Sequence, residues 1–221
     1  MTEPAVTLTD YAIAIECAVF ALALLRLDAR DTAIRSWFVA FFASISAASL
    51  LGGTVHGFFA EASSTGRLVL WPATLLSILA TSLAAWTIGA ILHLDERRAT
   101  LVRRLAIAQL LIFALVVLFV TSKFYVAIIA YLPSTLFLLF TLLAAYRRRP
   151  DAGVKWGVTG LALTLAAAAL QQLGVGIHPV YFDHNALYHV IQGVALWMIF
   201  LAARSISSAR PPIRRSRDLT A

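Results

Sequence analysis

Apolar residues run along this chain in long stretches broken only by charged or turn-forming clusters. The breaks leave seven runs, at about 9–27, 33–59, 68–94, 105–122, 124–146, 156–176 and 183–204. Each is near the roughly 20 residues an α-helix needs to cross a bilayer core, and far longer than the roughly 10-residue alternating segments of a membrane β-barrel. The pattern therefore predicts an all-α, polytopic membrane protein, a bundle of seven transmembrane helices in a single domain over 1–204. The fourth and fifth runs nearly fuse between Leu105 and Tyr146. A single helix there would measure about 63 Å, twice the roughly 30 Å core, so a tight turn at Thr121-Ser122-Lys123 must divide them.

Composition agrees with the pattern and removes a separate soluble domain: of 221 residues, 61% are hydrophobic and 13% charged, and the mean hydropathy is +0.85. The formal net charge of +7 would suggest nucleic acid in a soluble protein. Here its distribution sets topology. When loops are assigned to alternating sides, one side receives Arg26, Arg30, Arg35, Arg97, Arg98, Arg103, Arg104, Arg147, Arg148, Arg149, Lys155, Arg204 and the arginines of the tail. The other receives Arg67 and Lys123. The positive-inside rule then predicts the N-terminus outside and the C-terminus cytoplasmic, with 205–221 a basic, disordered tail near the anionic leaflet. The opening MTEPAVTLTD carries acid and no base, so it lacks the n-region of a cleaved signal and the first run is expected to be retained. Cys17, the one cysteine, has no internal disulfide partner. Sixteen Arg against two Lys, with abundant Ala, suggest a GC-rich bacterial genome and hence the cytoplasmic membrane.

Small residues at Gly52-Gly53, Gly157 with Gly160 and Ala166–Ala169 let helices approach closely, and Thr74, Ser77 and Thr81 read as interhelical glue. No internal repeat is visible, and an odd span count does not suit the paired inverted halves of many transporters.

Ionisable and amide side chains inside apolar runs are the informative ones, since burying them costs free energy. Glu16 lies in the first run, seven residues beyond Thr9 on the same helical face, with Asp10 at the membrane edge. His56 follows the small stripe Ser49, Gly52, Gly53 near the end of the second run. Gln171 and Gln172 close the sixth, and the seventh opens with Asp183-His184-Asn185, then Tyr188, His189 and Gln192. Asn185, His189 and Gln192 fall within about 60° of one another on a helix. The alternating topology gives these groups one depth, in the outer third of the bilayer. They define an expected outward-facing pocket of Glu16, His56, Gln171, Asn185, Tyr188, His189 and Gln192, walled by Trp71, among helices one, two, six and seven. Asp183 is read as the N-cap of the seventh helix, with His178 and His184 in the preceding loop, and His93 as a structural residue at a helix C-terminus.

The segment HNALYHVIQGVALWMIFLAAR resembles the last helix of the alkaline ceramidase and adiponectin-receptor superfamily of seven-helix membrane hydrolases. The likeness covers the seven-span layout, His56 and HNALYH. In that superfamily one histidine near the end of helix two and two histidines four apart at the start of helix seven hold zinc, with a serine and an aspartate nearby. The resemblance implies zinc ligation by His56 and His189; the third ligand is left open among Glu16, Glu61 and His184. It departs where Asn185 stands for the first helix-seven histidine, Gly52 for the serine and Arg67 for the aspartate.

Three functions follow as expectations. The first is a pocket that binds a lipid or small polar ligand, and the second a zinc-dependent hydrolase of lipid amides or esters. In the third, the polar cluster only fixes helix packing in an accessory membrane subunit. The expected partners are membrane lipids and such a ligand, not nucleic acid; the oligomeric state is not fixed by the sequence. A retinal pigment is disfavoured because Lys123 and Lys155 both lie at span ends, and bis-histidine haem ligation by His56 and His189 has no second signal behind it.

Overall fold

The computed structural model describes residues 1–178 and 181–208. They form seven α-helices: α1 Pro4–Leu25, α2 Thr32–Phe58, α3 Thr65–His93, α4 Glu96–Phe119, α5 Tyr125–Arg148, α6 Ala152–Gln172 and α7 His184–Ser208. Each is long and apolar enough to cross a membrane.

Helix ends differ from the hydropathy boundaries for local reasons. Pro4 occupies the first turn of α1, where its missing N–H costs nothing, so the helix begins before residue 9. Asp95 caps α4 by accepting from the Arg98 N–H at 3.0 Å, which places Arg97, Arg98, Arg103 and Arg104 on the helix and not in a loop before residue 105. At the other end α4 stops at Phe119 and α5 starts at Tyr125, with Thr121-Ser122-Lys123 between them as expected. α6 ends at Gln172, short of residue 176, because Gly174 turns the chain at φ +70° and the Val175 N–H returns to the Leu170 carbonyl at 3.0 Å. Asp183 does cap α7: its Oδ1 accepts from the Asn185 and Ala186 N–H groups at 3.0 and 2.9 Å. His184, expected in the loop, is the first residue of α7. Of the expected tail 205–221, residues 205–208 continue α7 instead of being disordered, and 209–221 lie outside the described residues.

Helix contacts run in the order α1, α2, α3, α5, α6, α7 and back to α1, closing a ring of six, with α4 outside against α3 and α5. Gln109, the one amide in α4, fastens it there: Nε2 donates to the Ala130 carbonyl at 2.8 Å, and Oε1 accepts from the Trp86 indole at 3.2 Å. Close approach depends on glycine where sequence spacing predicts it. A Cβ on Gly53 would stand 2.8 Å from Asp10 Cβ, and one on Gly160 2.7 Å from the Ala195 carbonyl, so α1 seats on α2 and α7 on α6 at these positions. Of the three hydroxyls expected to bridge helices, Thr81 does so, 2.8 Å from the Ser44 hydroxyl; Thr74 and Ser77 bond back within α3.

The ring has two unlike ends. At one, the Thr2 N–H bonds the Gly57 carbonyl and Trp71 reaches Ser122; at the other, the Arg30 N–H bonds the Ser207 carbonyl and the Ser205 hydroxyl meets Asp151. The arginine-rich connections all fall at the second end, where Phe20 stacks on Phe200 at 4.3 Å and Phe42 meets both rings edge-on, at 5.5 and 6.2 Å. These rings join α1, α2 and α7 at the arginine-rich end.

Candidate ligand cavity

Between its helices the ring holds a cavity of about 390 Å³. Small side chains leave the space open: Ala48 and Gly52 on α2, Ala127 on α5 and Ala168 on α6 all line it. Several of its polar lining residues, His56, Asp10, His189, Gln171 and Asn185, are held in pairs. Glu3 stands at the N-cap position of α1 without capping it, and its carboxylate instead meets His56 Nδ1 at 2.8 Å. Asp10, 6% exposed, faces His189: Oδ1 lies 3.4 Å from Nε2, while His189 Nδ1 lies 3.1 Å from the Thr9 hydroxyl. Asp10 Oδ2 is directed at the space beside Gly52, 3.8 Å from where a Cβ on that glycine would stand. Gln171 Nε2 donates to Asn185 Oδ1 at 2.9 Å, tying α6 to α7 at the cavity mouth.

The face read from the sequence is real: Asn185, His189 and Gln192 all line the cavity, and so do His56, Trp71, Gln171 and Tyr188. Trp71 is a wall fixed at its far edge, its indole N–H donating to the Ser122 carbonyl at 2.7 Å and its ring beside His56 and Phe124. Glu16 is the exception. It shares a face with Thr9, as the seven-residue spacing requires, but that face looks into a separate groove of about 340 Å³ between α1 and α7, with Ala12, Val190 and Gly193. Six residues past Asp10, Glu16 is rotated about 120° around α1 from the side that faces the cavity. His189 lines both spaces.

Sequence reasoning left out α5 and misplaced the acid. Tyr131 and Thr135 line the cavity from α5, and Asp10, not Glu16, is its buried carboxylate. A signal for Asp10 existed: it falls in the stripe Val6, Asp10, Ile13, Cys17, whose apolar members are 2%, 4% and 0% exposed, so the acid points inward with them.

Catalytic zinc takes three protein ligands and keeps an open position. Among the described residues no three His, Cys, Asp or Glu side chains gather to hold a metal ion. The expected set of His56, His189 and Glu16 is not assembled, because Glu16 does not line the cavity with His56. The donor set does not fit the zinc that the resemblance implies, and no step is derived through it.

Comparison with known proteins places the chain in a family without assigning chemistry. The chain belongs to DUF6962, a family of unknown function, whose profile matches residues 5–208. No curated protein and no solved structure matches it.

Proposed function

We propose that this is a multi-pass membrane protein that binds a small amphiphilic ligand, one with a hydrogen-bond-donating amine head, in the cavity within its ring of six helices. One observation carries the reading. Asp10, 6% exposed on an otherwise apolar stripe, faces His189 with one oxygen and directs the other at the space beside Gly52, in a cavity of about 390 Å³. A carboxylate in the apolar interior of a bundle is costly and marks a functional site by default. Asp10 directs an acceptor at the cavity, so the complementary head is a donor. The apolar wall of Ile13, Ile45, Ile78 and Leu165 takes the rest of the molecule. The volume lies near the lower end of the roughly 300–1,000 Å³ of small-molecule sites, which suits a single ring or short chain better than a two-chain phospholipid.

In this reading the arginine-rich end is cytoplasmic, and the cavity opens toward the outer face. With Cys17→Ser as background, a membrane-impermeant maleimide applied to intact cells should label Ser63→Cys and spare Ala99→Cys; the reverse would overturn the orientation. Binding is tested with benzylamine on the protein in lipid nanodiscs, read by thermal stabilisation. Wild type should be stabilised in a saturable way, and Ala168→Phe, which fills the cavity from α6, should not. Equal responses from the two proteins would sink the proposal.

A further inference from the structure

The cavity continues below the Asp10–His189 pair, and two polar atoms there have no partner. Thr164 and Gln192, 3% and 7% exposed, both line the cavity. Thr164 Oγ1 and Gln192 Oε1 make no hydrogen bond within the described residues. The other cavity threonines behave differently. Thr74, Thr81 and Thr135 each donate to a carbonyl four residues back, at 2.9, 3.1 and 3.1 Å. A buried hydroxyl in a helix ordinarily finds that same carbonyl, so Thr164 stands out as a hydroxyl left for something else.

The two orphans belong to one level of the bundle. α6 and α7 run in opposite directions past the Gln171–Asn185 hydrogen bond. Thr164 lies seven residues before Gln171, and Gln192 seven residues after Asn185. Seven residues are two helical turns, about 10.5 Å of rise and within about 20° of the starting face. Thr164 and Gln192 are therefore carried to the same depth on neighbouring helices. His189 lies three residues above Gln192, so this level is about 4.5 Å deeper than the Asp10–His189 pair.

From this placement we infer a second recognition station, Thr164 with Gln192, that takes an uncharged hydrogen-bonding group of the ligand, a carboxamide or a hydroxyl. The pair supplies what such a group needs: a hydroxyl that donates or accepts, and a carboxamide that offers an acceptor and, turned over, a donor. Among the described residues the carboxylates and imidazoles that line the cavity do not share this level: Asp10 and His189 sit about one turn higher, and Glu16 opens into the other groove. The inference rests on the amine-binding reading and adds the ligand's second functional group: its head meets Asp10, and a neutral polar group follows about one helical turn deeper.

A matched pair of probes tests it, benzylamine and 3-(aminomethyl)benzamide, with affinities measured by thermal stabilisation in nanodiscs for wild type, Thr164→Val, Thr164→Ser and Gln192→Leu. Wild type should prefer the amide at least tenfold. Thr164→Val and Gln192→Leu should erase that preference, and Thr164→Ser, which restores the hydroxyl, should recover it. If wild type binds both probes equally, water alone satisfies the two atoms and the inference is overturned, although the amine reading stands. If neither probe distinguishes wild type from Ala168→Phe, the amine reading falls and takes the second station with it.

Discussion

At the arginine-rich end of the bundle, Phe20, Phe42 and Phe200 meet between α1, α2 and α7, and Phe38, Phe41 and Leu24 belong to the same core with at most 1% exposure. Toward the other end the ring surrounds a cavity, lined by Ala48 and Gly52 on α2, about two to three turns beyond Phe42, and by Ala127 on α5 and Ala168 on α6. Both ends share helices and connections, so the difference comes from side-chain volume. In lipid, where burying an apolar face gains little over leaving it in acyl chains, helix association depends on packing and polar contacts. The packed end accordingly supplies cohesion. The open end has the same backbone held apart by polar pairs, Glu3–His56, Asp10–His189 and Gln171–Asn185, which fix positions more than they fill space.

The largest effect should therefore come from the packed end. Phe42→Ala removes a ring that contacts Phe20, Phe41 and Phe200, and large-to-small core changes of this kind cost about 3–5 kcal/mol. Trp71→Ala at the open end enlarges a space that already exists and should lower the thermal midpoint in detergent by less than half as much. Equal losses would show that the cavity wall is as tightly engaged as the packed end.

Gly53→Leu strikes the junction between the two. Its side chain must displace Asp10 Cβ and the Tyr11 ring, which a Cβ alone would meet at 2.8 and 3.2 Å. Overpacking of this sort costs about 1–3 kcal/mol, and the displaced Asp10 should also abolish benzylamine stabilisation. Retained binding at reduced stability would show that Asp10 is not held in place by α2.

Asp10→Asn isolates the polar side of the comparison. Shape is kept and the carboxylate lost, so benzylamine affinity should fall tenfold or more, equivalent to about 1.4 kcal/mol. The thermal midpoint without ligand should hold steady or rise, since a buried carboxylate is costly when nothing is bound. A stability loss matching that of Phe42→Ala would make Asp10 a packing residue and return the site to a purely structural role.

These residues also show which features were legible in the sequence. Seven helices were, because roughly 20 apolar residues between charge clusters leave few alternatives, and so was the α7 face, since seven residues return a helix almost to its starting angle. The same rule grouped Glu16 with Thr9 correctly and still misjudged the site: helical spacing tells which residues share a face but not which face looks inward. Asp10 carried that information through its neighbours Val6, Ile13 and Cys17, which fill the α1 side of the ring. Glu3 was hidden for another reason: hydropathy does not register a short polar first turn as helix, as Asp95 and Arg97 show again at α4. The contribution of α5 was beyond spacing altogether. It follows from the ring order, which places α4 outside although it precedes α5 in the chain.

The position of α4 leads to the smallest effect expected. Asp95 sits at its N-cap, exposed and outside the apolar span, and the Arg98 N–H donating to it, then the Arg98 guanidinium at 3.4 Å, hold its carboxyl below the usual aspartate range. A depressed carboxyl stabilises the fold only when ionised: the contribution is complete above the ordinary aspartate value of about 3.9 and is lost as pH falls through the lower folded value. Asp95→Ala should therefore speed amide hydrogen exchange over residues 96–99 at neutral pH, with the difference from wild type vanishing in acid. Because α4 stands outside the ring, benzylamine affinity should stay unchanged, and the thermal midpoint should fall far less than for Phe42→Ala. A shift in affinity would mean that α4 braces α3 and α5 around the cavity, so that the open end depends on a seventh helix as well as on its own polar pairs.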